Sequence, residues 1–407
     1  MDRSNAARQP LEGIRVVDLT HVLAGPYCTL LMALNGAEVI KIEPPRVGEL
    51  SRKQLITSKD GREVQHDEVY LHRNKKGVAL NLRSDKGKEI FKRLVEVSDV
   101  VIENYSPKTM KKLGLGYEEL KRINPRVVYT SLSGFGHEDI YRGPYSNRPA
   151  FNAVIQAMSG IMDMTGEAEG PPQIVGFTVG DLIPAVYAFA ATLMALRMRD
   201  ATGMGQHVDV AMYDCMVSMA QRPVIKYYLT GQMPTRGNLM GGAPFGVFRA
   251  RDGYVSMAIV GEKMWQRMCE LIGCPELLDD PRLQLDRERY RHFDSVLRPL
   301  LEKWSADKTR KEVADAFLAA DLPAGPIQNA ADLIECPHLR ARGMIEEFDD
   351  PNFGHVVLTG NPFKLSNVAK SVPRPAPLVG QDTDAVLKFV LGMKDEELLR
   401  LRESEII

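Results

Sequence analysis

Cysteine is scarce in this chain of 407 residues: Cys28, Cys215, Cys269, Cys274 and Cys336 are odd in number and show no C-x-x-C spacing. That excludes a disulfide framework, and the expected state is free thiols in a reducing cytoplasm. The eight histidines form no H-E-x-x-H or related ligand pattern, so no protein-bound metal is expected. Charge of one sign is also missing: the formal net charge is −1, which leaves no footprint for nucleic acid and makes any anion binding local. No apolar run approaches the ~20 residues of a membrane span without Gly, Pro or charge. The opening Met1-Asp2-Arg3-Ser4-Asn5 carries no apolar h-region, so no secretory signal is expected. G-x-G-x-x-G is lacking too, which weakens a dinucleotide reading.

What is present is a 44% hydrophobic composition, enough for a large core and for two domains, or for one with an insertion. One stretch organises the rest: Ile174-Val175-Gly176-Phe177-Thr178-Val179-Gly180-Asp181-Leu182-Ile183-Pro184-Ala185. Asp181 is the only charge in a long apolar run that ends at Arg197, and Leu182 to Leu196 reads as a buried helix. Asp181 is expected at its N-cap with Pro184 in the first turn, where backbone N–H groups and the helix dipole would keep the carboxylate ionised. Gly176 and Gly180 would leave room for a ligand. A desolvated carboxylate of this kind can attack an activated acyl group; the alternative, usual for an Asp at a helix start, is that Asp181 merely caps the helix.

Taken in order, Ile14–Leu19 is a β-branched run, Tyr27 to Leu34 is helix-like, and Ala37–Glu43 is a second strand ending in an acid. Strand, helix, strand predicts a βαβ unit and a parallel sheet. Arg46 to His72 reads as a long irregular loop. Val78–Leu82 follows, then a helix from Asp85 to Val97 capped by Ser84, and further strands at Val100–Tyr105 and Val127–Leu132. Phe151 to Ser159 is helical, and Gln206–Ala211 alternates as a strand does. The composition changes near Tyr228, and Asp252-Gly253 between β-rich runs signals a hairpin in a smaller second domain. Val356 to Leu365 leads the chain back; Ser371–Pro377 is a Pro-rich crossing segment, with a last helix after Asp382. The fold class is therefore α/β: a Rossmann-like large domain with a parallel sheet, plus a smaller inserted α+β domain. The boundaries are 1–228 and 356–407 for the large domain and 237–345 for the small one.

Several of these segments together resemble the class III CoA-transferases. Leu11–Val22, Gly36–Glu43, Asn74-Lys75-Lys76, Asp99–Tyr105, Ser133-Gly134-Phe135-Gly136 and Pro377–Thr383 fit the family in the right order over nearly the whole chain. The resemblance implies a large domain built from both chain ends and a dimer of two protomers threaded as interlocked rings. It implies that Asp181 is the nucleophile, attacking an acyl-CoA thioester to form an aspartyl anhydride and then an aspartyl-CoA thioester. No tightly bound cofactor is implied; the coenzyme A thioester is a substrate, exchanged against a carboxylic acid. Family positions that hold CoA carry over onto His21, Val22, Ala24, Leu80, Arg83, Asn104, Tyr105 and Lys112, with Arg83 and Lys112 toward phosphates. Gly241 and Gly242, preceded by Asn238, match a glycine loop that covers the nucleophile.

Two departures stand out. Leu23 replaces a Gln beside the family's active site, and Pro44 replaces an Arg near the CoA adenosine, a cation that Arg46 would restore. Arg46, Arg52, Lys53, His72 and Arg73 crowd the long loop and are candidates for the distal carboxylate of a dicarboxylic acid such as succinate or malate. Solvated charges and CoA phosphate contacts are the alternative reading. The donor would be succinyl-CoA and the acceptor malate, citramalate or mesaconate. The rival enzyme is an acyl-CoA racemase of the same fold, but that branch needs His-Asp where this chain has Phe151-Asn152, neither a base at neutral pH. The rival from another class is a CoA-ester-binding subunit paired with an active homologue, against a homodimer.

Overall fold

The computed structural model describes residues 8–59, 61, 63–146, 148–236, 245–368 and 372–407. Consecutive β-branched residues on buried strands point to opposite faces, and each strand therefore feeds two cores. Val16, Val39, Val100 and Val128 enter one core with Cys28 and Leu31 and with Ala185, Ala188 and Phe189. Val17, Ile40, Val101 and Tyr129 enter the other, with Ile90, Phe91, Leu94, Leu387 and Leu398. Runs such as Val16-Val17 and Val39-Ile40 are what a parallel sheet covered on both sides requires.

The sheet strands are β1 (Arg15–Asp18), β2 (Glu38–Glu43), β3 (Lys76–Ala79), β4 (Val100–Glu103), β5 (Val128–Ser133) and β6 (His207–Ala211). They lie in the order β3-β2-β1-β4-β5-β6, every neighbouring pair parallel. This is the doubly wound order of dinucleotide-binding sheets, with its topological switch point between β1 and β4. Helix α1 (Ala24–Leu34) joins β1 to β2, and α2 (Asp85–Glu96) starts at Ser84, whose Oγ accepts the Gly87 N–H at 3.0 Å. The C-terminal segment returns to the β3 edge. The Asp382 carboxylate accepts from Gly77 N–H (2.8 Å) and the Thr383 hydroxyl from Ala79 N–H (2.9 Å).

Helix α3 runs Val179–Thr202 and ends at Gly203, whose φ of 78° closes the turn. It is long and apolar enough to cross a membrane by length and composition. In this protein Ala185, Ala188, Phe189, Ala195 and Leu196 pack in the first core. The opposite side differs from the expectation of an all-round buried helix: Val186, Tyr187, Met194 and Met198 are exposed.

Other elements also depart from the sequence reading. Residues 46–72 hold a short 3-10 turn at Leu50–Lys53, a two-residue ribbon pairing Ile56–Thr57 with Glu63–Val64, and a helix at His66–Leu71. The return segment is a hairpin of Ile345–Asp350 with Gly354–Thr359, where the sequence predicts a single run.

The chain divides into two compact units, Met1–Met233 with Ala341–Ile407, and Pro234–Arg340. The second unit holds an antiparallel sheet of Phe245–Ala250, Gly253–Ala258 and Ala324–Pro326, turned at Arg251-Asp252. Its core contains Phe248, Val255, Trp265, Leu297 and Phe317.

Candidate active site

Ligands of open α/β sheets bind at the strand carboxyl ends beside the switch point. Here those ends are the β1–α1 loop and the residues after β4, and a single side chain ties them together. Asn104 accepts the His21 N–H at 2.8 Å and donates to the His21 carbonyl at 2.9 Å. The Tyr105 ring stacks on His21, centroids 5.1 Å apart. Gly25 permits this approach: a Cβ there would lie 2.4 Å from Thr20 Cβ and 2.9 Å from Asn104 Cγ. Behind Tyr105, whose N–H reaches the Glu103 carboxylate at 2.8 Å, burial pushes Glu103 up to about 7.

Beneath the loop lies a buried charge cluster. The Asp18 carboxylate accepts from the Thr20 N–H (2.8 Å) and the Thr29 hydroxyl (2.6 Å), and Lys75 Nζ lies 3.1 Å away. Lys41, its register partner on β2, lies 3.7 Å off and donates to the Thr20 carbonyl. Burial alone would raise the Asp18 pKa; the two ammonium groups and the hydroxyl donors overcome it and hold the carboxyl far below its usual range.

Asp181 is the third residue of α3, behind Thr178 at the cap position; its carboxylate caps nothing, which corrects the N-cap expectation. Pro184 lies inside the helix, where its missing N–H leaves the Gly180 carbonyl without its i+4 partner. Among the described residues no hydrogen bond or ion pair reaches the Asp181 carboxyl, and burial alone pushes it up to about 6. Desolvation, and not N–H donation, therefore sets its state. Gly180 makes room for protein and not for ligand: a Cβ would lie 2.8 Å from Asn152 O, and its N–H donates to Asn152 Oδ1 at 2.9 Å. Gly176 is open, and a Cβ added there would meet nothing within 4 Å.

Two cavities meet at this point. A small one of about 160 Å³ is lined by Asp181 together with His21, Val22, Leu23, Ala24, Asn104 and Tyr105. A larger cleft of about 690 Å³ is lined by Pro44, Arg46, Leu80, Arg83 and Tyr105. Tyr105 belongs to both. Eight of the nine expected binding residues thus line one or the other of these two cavities. Lys112 does not line the cleft, although Thr109 and Leu113 on either side of it do. Gly241, Gly242 and Asn238 lie outside the described residues.

Most of the loop cations have other work. Arg52 is buried, forks onto both Glu43 oxygens (2.6 and 2.7 Å) and pairs with Glu68. His72 is buried 3.3 Å from Glu49, and Arg73 is buried against Glu346 and the Thr359 carbonyl. Lys53 is exposed. Arg46 alone reaches the cleft, in an exposed pair with Glu405 at 2.8 Å, a contact weak enough to exchange for a phosphate. The cation that lines the Asp181 cavity is one the sequence reading missed: Arg148, stacked 4.0 Å over the Tyr145 ring.

A doubly wound sheet thus carries two cavities beside its switch point, one of them lined by a carboxylate that burial desolvates. The chain belongs to CoA-transferase family III, whose profile matches residues 11–383. It is 38% identical over 376 residues to the succinyl-CoA:mesaconate CoA-transferase of Haloarcula hispanica, covering 91% of this chain and 94% of that one. It is 37% identical over 421 residues to the formyl-CoA:oxalate CoA-transferase of Streptomyces coelicolor, covering 98% and 99%. The crystal structure of a CaiB/BaiF family protein from Brucella suis superposes with a TM-score of 0.83 at 33% identity, covering 94% of this chain and all of that one.

Proposed function

We propose that this class III CoA-transferase moves CoA from succinyl-CoA to a small dicarboxylic acid such as mesaconate, citramalate or malate, with Asp181 as the covalent nucleophile. The observation that carries this reading is a carboxylate with no polar partner among the described residues, raised to about 6 by burial, in the cavity lined by the β1 and β4 loops. Such a group is ionised at neutral pH yet poorly solvated, which is what attack on a thioester needs.

In the proposed sequence an Asp181 oxygen adds to the thioester carbonyl and the C–S bond breaks, giving an aspartyl–acyl anhydride and CoA thiolate. The thiolate attacks the aspartyl carbonyl and expels the donor acid as its carboxylate. The acceptor carboxylate then displaces the thiolate from the aspartyl thioester. Finally the thiolate takes the acceptor's acyl group and frees Asp181. Each step exchanges one carboxylate or thiolate for another, so no proton is consumed overall.

The larger cleft suits the nucleotide end, with Arg46 and Arg83 toward phosphates and Lys112 at its margin, and Tyr105 marks the passage toward Asp181. Arg148 suits the distal carboxylate of a dicarboxylic acid. Steady-state kinetics check this placement: Arg83→Ala raises KM for acyl-CoA about tenfold, and Arg148→Gln does the same for a dicarboxylate acceptor, with smaller changes in kcat. If Arg148→Gln weakens monocarboxylates as much as dicarboxylates, the distal contact is elsewhere.

The racemase reading gains no support from Asn152, whose amide is held by Gly180 and Gln156. The exposed Val186, Tyr187, Met194 and Met198 of α3 support an extensive partner contact, and we read it as the interlocked homodimer; a homologous partner is the alternative. Sedimentation of the chain expressed alone should show dimer at nanomolar concentration with no exchanging monomer. A monomer in rapid exchange would rule out threaded protomers.

A further inference from the structure

Val22 has a φ of 65°, left-handed backbone that a β-branched side chain rarely adopts. Such a conformation is strained and persists only where its surroundings over-determine it. Three groups hold the loop. Asn104 clamps both backbone atoms of His21, and Lys41 fixes the Thr20 carbonyl. The third is Glu49, buried, from the turn after β2: its Oε2 accepts the Val22 N–H itself at 3.0 Å. The same oxygen accepts the Ser51 N–H at 2.9 Å, the Ser51 hydroxyl donates to Oε1, and the Glu49 N–H donates to Glu43 at 3.1 Å. Arg52, locked onto Glu43, completes a rigid mount.

The consequence falls on the reacting site. Val22, Leu23 and Ala24 are consecutive, Ala24 is the first residue of α1, and all three line the cavity that contains Asp181. The left-handed turn at Val22 sets the direction in which the first turn of α1 leaves the loop. A glycine would make that turn without strain. Valine keeps a branched side chain on the cavity wall, and the strain is the cost of keeping it there.

We infer that Glu49 is a positioning residue for CoA transfer: it anchors the strained Val22 amide and so fixes the loop and first helical turn that face Asp181. The carboxylate acts as a hydrogen-bond acceptor, and its charge is secondary. The inference rests on the reading of the Asp181 cavity as the reaction site.

A double-mutant cycle on the full-length protein tests it, with succinyl-CoA and mesaconate as substrates. Glu49→Ala lowers kcat/KM at least about tenfold beside Val22, and by less than about threefold in a Val22→Gly background, where the anchor has no strain to hold. Glu49→Gln, which keeps an acceptor oxygen, stays within about threefold of the wild type. Equal losses in the two backgrounds, or full activity in Glu49→Ala, would overturn the inference and leave Glu49 a support for Ser51 and His72 alone. If Glu49→Ala yields no folded protein, Glu49→Asp, shorter by one methylene, carries the same cycle. Hydroxylamine trapping on Asp181 separates the two readings. If trapping fails in the wild type, the reaction site is wrong; if trapping succeeds and the cycle shows no coupling, only the role of Glu49 is wrong.

Discussion

Asp181→Asn should lose CoA transfer by at least about three orders of magnitude, because the amide has no attacking oxygen of comparable nucleophilicity. The fold should survive, since among the described residues the carboxylate makes no hydrogen bond or ion pair that the amide must replace. The substitution should even stabilise the protein at neutral pH. A carboxyl whose pKa rises from 3.8 unfolded to about 6 folded is harder to ionise in the native state, so its destabilising effect grows as pH climbs between those values and then levels off. Two units at 1.36 kcal/mol each set an upper bound of about 3 kcal/mol, which partial exposure to water reduces. Calorimetry at pH 5 and pH 8 reads this directly: the variant's gain should be larger at pH 8. Activity should follow the opposite logic. The nucleophile is the ionised form, so kcat/KM of the wild type should fall on the acid side with a midpoint near 6. Incubation of wild type with succinyl-CoA and hydroxylamine should place a hydroxamate on the peptide containing Asp181, and only when acyl-CoA is present. Near-normal transfer by Asp181→Asn would leave Asp181 an ordinary helix residue and remove the covalent mechanism.

Much of this site is legible in the sequence alone, for a specific reason. A lone charge in an apolar run has to be neutralised, paired or used, and Asp181 shows as such a charge in the sequence. The β-branched runs of β1, β2, β4 and β5 identify a parallel sheet because burial on both faces removes the alternation that surface strands keep. The position of Asp181 within its helix is not legible. Thr178 takes the cap position by its backbone conformation, which no residue pattern near Gly176-Phe177-Thr178-Val179 dictates. Helix α3 reads as fully buried because composition alone cannot distinguish an apolar face that meets the core from one that stays exposed on this chain. The hairpin at Ile345–Asp350 escapes a pattern reading because its strand, Ile345-Glu346-Glu347-Phe348-Asp349-Asp350, carries acids on both faces and so shows no alternation. The loop cations mislead for a related reason. In sequence Arg52 and Arg73 read as candidates for a substrate's distal carboxylate, or as solvated charges and CoA phosphate contacts, yet their partners Glu43, Glu68 and Glu346 are brought to them only by the fold. Asp18 and Lys41 do carry a signal: Asp18 follows Val16-Val17 and Lys41 lies between Ile40 and Ile42, charges set among β-branched residues on strands expected to pair.

That pair underlies the second large effect. Asp18→Ala should leave Lys41 and Lys75, both fully buried, without the carboxylate that lies between them at 3.7 and 3.1 Å. Removing one partner of a buried ion cluster costs about 3–5 kcal/mol, because the remaining charges must be desolvated unpaired or lose their protons. Burial already lowers the Lys75 pKa against the pull of Asp18, so without Asp18 Lys75 is driven toward the neutral amine. With about 2–4 °C per kcal/mol for a domain of this size, the unfolding temperature should fall by roughly 10 °C, if the variant folds at all. The dependence on pH has a definite sign. The Asp18 carboxyl is depressed in the folded state, so its contribution is complete above the unfolded carboxylate range and is lost as pH falls toward the folded value. The deficit of Asp18→Asn relative to wild type should therefore be full between about pH 5 and 8 and shrink below about pH 4. Because the loss comes from unpaired charge and not from a cavity, the variant Asp18→Leu, Lys41→Met, Lys75→Met should regain most of the stability. It should regain little activity, since Lys41 also holds the Thr20 carbonyl in the loop beside Val22. A wild-type unfolding temperature in Asp18→Ala, or a triple variant no more stable than the single one, would show that the cluster is not what holds β1 and β2 beneath the site.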